Sequence, residues 1–233
     1  MTPTSQETIP ATSPCPAAHD IVLYLMTEKD DLNRAYALET PDDSRKLYAE
    51  WAETYDADFV GLRGYILHDA VASAFVQAKG QGPVLDIGAG TGICGVSLKR
   101  HGVSNVDGVD ITPQMLAQAA LKGAYSDLFP GDILAGLDKP DGSYPGIVSA
   151  GTFTCGHVGP DGLDEITRLL APSGLAIISV RDVHFVSEGF EAKLDNLRHS
   201  LAIEARPVTR IYATDSQGEN ADDLALLLHL RKI

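Results

Sequence analysis

Apolar positions fall into two textures along the chain. Up to residue 79 they recur at helical spacing, and from residue 84 they come as short β-rich runs alternating with helical stretches. Within the first texture, Thr40-Pro41-Asp42-Asp43 is a cap residue, a first-turn proline and two acids that favour the positive end of a helix dipole. Leu47, Trp51 and Tyr55 follow at i, i+4 and i+8, which places them on one helical face. A second amphipathic helix is predicted from Tyr65 to Lys79, stopped by Gly80-Gln81-Gly82-Pro83. Residues 1–19 carry Pro3, Pro10, Pro14 and Pro16, many Ser and Thr, and almost no large apolar groups, so they read as a flexible tail.

After Pro83 the expected order is a strand at Val84–Ile87, a helix at Gly92–Arg100, a strand at Val106–Val109 and a helix at Pro113–Lys122. A strand at Ile147–Ala150, a helix at Leu163–Leu170 and a strand at Gly174–Val180 follow. Such alternation signals βαβ units and a doubly wound, mostly parallel α/β sheet. Glu191–Leu201 reads as a helix. Ala205–Ala213 and Leu224–Lys232, joined by the polar loop Thr214–Asp223, predict an antiparallel hairpin on the sheet edge. The division expected is a tail at 1–19, a helical lid at 20–80 and an α/β domain at 81–233.

Composition narrows the functional classes. The 233 residues hold 18 Lys and Arg against 32 Asp and Glu, a net charge of -14. That balance argues against nucleic-acid backbones and anionic membranes as partners, since both are bound through Lys and Arg. Cys15, Cys94 and Cys155 are far apart with no metal-ligand spacing, which suits a reducing compartment. No apolar run approaches bilayer length and no basic cluster precedes Ile21–Met26, so the expectation is a cytoplasmic protein that needs no metal. The acid runs Glu28–Asp31 and Asp222-Asp223 read as solvated faces and caps.

The strongest local signal is Val84-Leu85-Asp86-Ile87-Gly88-Ala89-Gly90-Thr91-Gly92, an apolar strand running into glycines that open a helix. Glycines allow a sharp turn and close ligand approach, and the helix N-terminus offers free N–H groups. A dinucleotide loop starting at Gly88 would put Ile93 where Gly or Ala is needed; starting at Gly90 it finds Gly95 in place but begins too far past the strand. A phosphate-binding P-loop lacks its Gly-Lys-Ser/Thr. The spacing Asp86-x-Gly88-x-Gly90-x-Gly92 instead resembles the first motif of class I S-adenosylmethionine-dependent methyltransferases, with their Rossmann-like fold. Val109-Asp110-Ile111-Thr112-Pro113-Gln114-Met115-Leu116 looks like the second element, and Gly131-Asp132-Ile133 falls where that family places an acid near the adenine amino group.

The resemblance implies S-adenosylmethionine as cofactor and S-adenosylhomocysteine as product. Asp86, Gly88, Gly90 and Gly92 would hold the methionine end, Asp110 and Ile111 the ribose and one adenine face, and Asp132 and Ile133 the adenine edge. Ala89, Met115 and Ala150 join them as cofactor-binding positions. Upstream, Trp51-Ala52-Glu53-Thr54-Tyr55-Asp56 with Gly64-Tyr65 resembles small-molecule-type members, among them the Williams-Beuren-region methyltransferase-like proteins. There Trp51 and Tyr55 would close the lid, their ring faces apt for a sulfonium; equally, Trp51 could simply pack the lid on the sheet.

The acceptor side is expected past the strand at Ile147–Ala150. Gly151-Thr152-Phe153-Thr154-Cys155-Gly156-His157-Val158-Gly159 contains one residue suited to general-base work near neutrality, His157. Cys155 reads as a small apolar group. The Asn/Asp-Pro-Pro-Tyr/Phe motif of nucleic-acid and protein amino methyltransferases is missing, which points to a small-molecule O, N or S nucleophile. Arg181 could fork onto a substrate carboxylate or pair with a nearby acid, and Tyr65 and His68 could line the acceptor side. Two rivals stay open: a non-catalytic methyltransferase-like subunit and a protein methyltransferase. An NAD-dependent oxidoreductase would need a hydride-transfer pair that the sequence does not offer.

Overall fold

The computed structural model describes residues 34, 35, 38, 40–216 and 220–233. The tail, the acid run at Glu28–Asp31 and the start of the expected lid lie outside them. The elements in order are α1 (Pro41–Trp51), a π-helical segment (Asp56–Gly61), α2 (Leu67–Gln77), β1 (Val84–Ile87), α3 (Ile93–Arg100), β2 (Val106–Asp110), α4 (Pro113–Leu121) and β3 (Asp127–Pro130). Then come β4 (Tyr144–Phe153), α5 (Gly162–Leu169), β5 (Leu170–Arg181), α6 (Asp182–Ser187), α7 (Phe190–Leu197), β6 (Leu201–Ala205), β7 (Val208–Arg210) and β8 (Leu224–Lys232).

One sheet runs β3-β2-β1-β4-β5-β8-β6, with β7 also on β8. The first five strands are parallel and β8 is antiparallel to its neighbours β5, β6 and β7. The doubly wound architecture is therefore as expected. The C-terminal hairpin differs in detail: β8 is threaded between β5 and the outermost strands, with its residues 225, 227, 228 and 230 buried. The run at Ala205–Ala213 is broken at Arg206-Pro207, where proline has no N–H to donate to a ladder, so it forms the end of β6 and then β7. The helix expected to reach Leu201 stops at Leu197, and Leu201 starts β6 beside Lys232. The short strand β3, whose residues are only partly buried, has too little apolar alternation to read from sequence.

Side chains alternate between two faces. Leu85, Ile87, Ile147, Ile178 and Leu228 point to a core closed by α5 and α7, through Leu163, Ile166, Phe190 and Leu194. Val84, Val106, Val148, Leu175 and Ile177 point to the opposite core with Val71 and Phe75 of α2 and Leu98 of α3. Thus α2 is a covering layer of the sheet, whereas α1 and the π-helical segment lie over the strand ends and contribute Trp51 and Phe59 to the same core. α1 starts at Thr40, whose hydroxyl accepts from the Asp43 N–H at 3.2 Å and donates to the Asp43 carboxylate at 2.6 Å. Tyr65, expected to open the second helix, instead precedes it and forms an antiparallel bridge with Tyr212. No helix among the described residues is long and apolar enough to cross a membrane.

Candidate active site

A cavity of about 510 Å³ opens at the C-terminal ends of the parallel strands, within the size range of small-molecule sites. Its floor begins at the glycine loop. Gly88 and Gly90 have φ of +70° and +54°, the left-handed region that glycine adopts without strain. A Cβ on Gly88 would stand 1.9 Å from Thr152 Oγ1, because Thr152 crosses beneath the loop to donate to the Ile87 carbonyl at 3.0 Å. A Cβ on Gly90 would meet no protein atom closer than 4.0 Å.

Asp110, at the tip of β2, lines the cavity. One carboxylate oxygen accepts from the Gly90 N–H at 2.8 Å and the other from the Thr112 N–H at 2.9 Å, so loop and strand end are locked together. Burial pushes its pKa up and these backbone donors pull it back. Each oxygen retains a further acceptor direction for a hydroxyl. Ile111, Met115, Ile133 and Leu134 form an apolar slot beside it. Asp132 stands at the slot's end, its side chain turned to accept from the Leu134 N–H at 2.9 Å.

Of the residues expected to bind cofactor, Trp51, Tyr55, Gly88, Gly90, Asp110, Ile111, Met115, Asp132, Ile133 and Ala150 all line this one cavity. Asp86, Ala89 and Gly92 do not. Asp86 shares β1's alternation with Val84, so its carboxylate turns beneath the loop, fully buried, and accepts from the Tyr125 hydroxyl at 2.7 Å. Tyr125 in turn accepts from the Gly95 N–H at 3.0 Å. Burial, only partly offset by hydrogen bonds from Tyr125 and Cys94, raises the Asp86 pKa to about 7. Ala89 is spent on a backbone bond to the Val109 carbonyl, and Gly92 is the left-handed N-cap of α3, packed on Ala119 and Tyr125. Asp86 and Gly92 shape the loop from behind.

The lid supplies an aromatic wall. Trp51 and Tyr55 stand edge to face at 4.9 Å, Tyr55 and Phe59 are tilted to one another at 5.1 Å, as are Phe59 and Tyr65 at 5.1 Å, and Tyr212 lies 6.1 Å from Tyr65. Burial drives the Tyr55 phenol far above its ordinary pKa, so it stays neutral. Asp56 pins this wall to the glycine loop: it accepts from the Thr91 hydroxyl at 2.5 Å and pairs with Lys122 at 2.7 Å, and Lys122 also donates to the Thr91 carbonyl at 2.5 Å.

The far end of the cavity holds Tyr48, Tyr65, Cys155, His157, Arg181, His184 and Tyr212, so the three expected catalytic candidates, His157, Tyr65 and Arg181, share one space. His68 does not line it; its ring stacks on Tyr65 at 5.5 Å. His157 Nδ1 lies 2.9 Å from the Cys155 carbonyl, which can only accept, so the proton is on Nδ1 and Nε2 is the acceptor. The Tyr48 hydroxyl donates to that Nε2 at 2.8 Å. Burial lowers the His157 pKa, with the neighbouring His184 acting in the same direction and the Cys155 carbonyl opposing. Arg181 makes the second of its two expected contacts, an ion pair with an acid: Asp223 at 2.8 Å, both side chains largely buried. Tyr48 and Tyr212 were not among the residues the sequence singled out, although Tyr48 belongs to the same helical segment as Trp51.

Residues 84–174 match a family model described as a methyltransferase domain. Methyltransferase-like protein 27 of Homo sapiens is 29% identical over 189 residues, spanning 76% of each chain. Among solved structures, the [4+2]-cyclase SpnF aligns over 84% of this chain and 97% of its own, with a TM-score of 0.62 at 16% identity. A SAM-dependent methyltransferase of Thermotoga maritima, a possible histamine N-methyltransferase, aligns over 81% and 98% with a TM-score of 0.57 at 18% identity. At these identities the structures speak for the fold. S-adenosylmethionine suits the cleft on its own terms: the open side of Gly90, the carboxylate of Asp110 and the slot of Ile111, Met115 and Ile133 offer a backbone cradle, a hydroxyl acceptor and apolar walls for a base in one cavity. Residues 84–174 thus carry a methyltransferase domain, and the fold and loop chemistry around it are those of class I S-adenosylmethionine-dependent methyltransferases.

Proposed function

We propose that the protein is an active enzyme that methylates an O, N or S nucleophile of a small molecule. The observation that carries this reading is the continuity of the cavity, in which the cradle around Gly90 and Asp110 and the polar end around Tyr48 and His157 line a single cleft. S-adenosylmethionine, when bound, supplies an electrophilic methyl on a sulfonium that is its own leaving group. The protein's share of the chemistry is then to hold the acceptor in near-attack geometry, exclude water and take up a proton where the acceptor carries one. Asp110 fixes the ribose end, Ile111 and Ile133 sandwich the adenine, and the rings of Trp51, Tyr55 and Phe59 present electron-rich faces where a sulfonium would stand.

A small acceptor is favoured because Tyr48, Trp51, Tyr55 and Phe59 of the lid wall the cavity over the strand ends and narrow it to about 510 Å³, and because a net charge of -14 offers no basic track for a nucleic acid. Calorimetry with S-adenosylmethionine and S-adenosylhomocysteine, followed by transfer of a labelled methyl group to a metabolite extract, tests the reading. Binding with label in the small-molecule fraction supports it. Binding with no transfer supports a non-catalytic subunit, label in protein bands supports a protein methyltransferase, and no binding sinks all three.

A further inference from the structure

The acceptor end of the cavity has a proton path and an electrostatic balance that together select a class of acceptor. Nε2 of His157 is held as an acceptor by that ring's Nδ1 contact to the Cys155 carbonyl, and the Tyr48 hydroxyl covers it at 2.8 Å, whereas His184 turns its Nε2 to the Val158 carbonyl at 3.0 Å. Both residues line the cavity, and the Tyr48 ring, 5.5 Å from that of His157 and 6.2 Å from those of Trp51 and Tyr55, links the imidazole to the aromatic wall along which an acceptor would lie. A tyrosine oxygen that donates its proton keeps lone pairs, so it can receive a proton from one side while passing its own to the other. The cation at this end, Arg181, is balanced by Asp223, and the carboxylate on the rim, Glu188, is solvent-exposed. The interior is therefore close to neutral and walled by the rings of Tyr48, Tyr65 and Tyr212. A carboxylate acceptor would find its counter-ion already engaged and would have no proton for the path to take.

We propose that the acceptor is an uncharged aromatic hydroxyl, a phenol, and that Tyr48 is the catalytic residue that takes its proton and relays one to His157. This rests on the methyltransferase reading above. As the acceptor oxygen forms its bond to the methyl carbon, its O–H bond breaks and that proton bonds to Tyr48 Oη. The original Tyr48 O–H bond breaks in the same step and its proton bonds to His157 Nε2, leaving an imidazolium whose Nδ1–H still rests on the Cys155 carbonyl. The charge lost by the sulfonium reappears on His157, so the step is balanced. Proton return to water on product release restores the pair.

The test uses the full chain and four probes of rising acidity: 4-methoxyphenol, phenol, 4-cyanophenol and 4-nitrophenol. Binding of each to the protein loaded with S-adenosylhomocysteine is followed by calorimetry, and O-methylation by transfer of a tritiated methyl group at mildly alkaline pH. Phenols bind and are methylated. Tyr48→Phe, which keeps the ring contacts, lowers kcat by about 10²-fold for the weakly acidic phenols, by little for the ionised 4-nitrophenol, and leaves product affinity unchanged. His157→Gln reproduces the same acidity-dependent loss, and the double variant is no worse than either. An equal loss across all four phenols makes Tyr48 structural and overturns the relay. A protein that binds S-adenosylhomocysteine and methylates some other acceptor but no phenol overturns the acceptor class while the methyltransferase reading stands; one that does not bind S-adenosylhomocysteine overturns both.

Discussion

The Tyr48 hydroxyl and Nε2 of His157 lie 2.8 Å apart although 109 positions separate them in the chain. One comes from the lid helix and the other from the loop after β4, so their hydrogen bond also reports whether the lid is seated. The imidazole is buried, and burial lowers its pKa below the ordinary 6.5. Between the folded value and 6.5 the unfolded chain binds a proton that the folded protein does not, so stability rises with pH across that window. His157→Gln should remove its share of this slope and leave that of His68 and His229, whose burial lowers their pKa in the same direction. Chemical denaturation at a series of pH values checks it; an unchanged profile in the variant would show that His157 titrates normally. In catalysis the same shift extends the alkaline plateau of kcat/KM to below pH 6.5.

Asp86 carries the opposite dependence. Its folded pKa of about 7 exceeds the ordinary 3.8, so the folded state holds a proton that the unfolded chain has released, and stability falls as pH rises from about 4 to 7. Asp86→Asn preserves an acceptor for Tyr125 and removes the ionisation. At pH 8 the variant should be more stable than the parent by about 2–4 kcal/mol, the advantage vanishing near pH 4. Thermal melts at the two pH values decide it: a variant less stable at both would mean that the carboxylate itself is needed.

The two cleft glycines should fail in different ways. Gly88→Ala forces a Cβ against Thr152 at 1.9 Å in a left-handed conformation, and should lower stability by about 3 kcal/mol or more. Gly90→Ala has room inside the protein and should cost only about 1 kcal/mol from its positive φ, yet weaken S-adenosylhomocysteine binding at least ten-fold by filling the cradle. Melting temperature and calorimetric affinity measured side by side distinguish them. Parallel loss of both quantities in both variants would refute the assignment of Gly90 to the cofactor wall.

Asp56, Thr91 and Lys122 join three separate segments through one cluster. Lys122 and Asp56 are partly exposed, so Asp56→Ala should change global stability by less than about 1 kcal/mol. Its effect should appear as faster proteolysis within residues 41–61 and weaker cofactor affinity, and Thr91→Val should add little once Asp56 is gone. Strictly additive losses would mean that the contacts act independently.

Arg181 and Asp223 form a largely buried pair between the end of β5 and the approach to β8. Asp223→Ala removes the buried carboxylate that balances the guanidinium and should cost about 3–5 kcal/mol, whereas replacing both by Met and Leu should cost much less. Denaturant midpoints of the three variants measure it. A mild single variant would indicate that Arg181 finds another carboxylate.

Most of the parallel half of the fold was legible because β1, β2, β4 and β5 each hold a compact apolar run closed by glycine, proline or a capping residue, whereas β3, Asp127–Pro130, holds none. The meeting of Gly88, Gly90 and Asp110 on one wall of the cavity was legible too, since they lie within 23 consecutive residues. Asp86 shows the limit of motif reading: its place in the motif says nothing about face, and the two-residue period of β1 turns it away from the cleft. The acceptor end was legible only in part. His157 stood out by its titration range, but Tyr48, Tyr212 and Asp223 reach it from an unlinked helix and a late loop, and the partner of Arg181 could not be chosen among many acids. β8's position inside the sheet depends on long-range pairing that no local pattern encodes.

The threading of β8 between β5 and β6 sets an order of assembly during synthesis. The residues proposed to hold the cofactor, from Gly88 to Ile133, are in place in the chain about a hundred positions before β8 ends, whereas Asp223 and β8 emerge after them. A ribosome-bound chain can therefore present a cofactor cradle while the edge of β5 is still uncovered, and that edge is a template for wrong pairing. Early cofactor capture would give the nascent chain a folded anchor before its acceptor end exists.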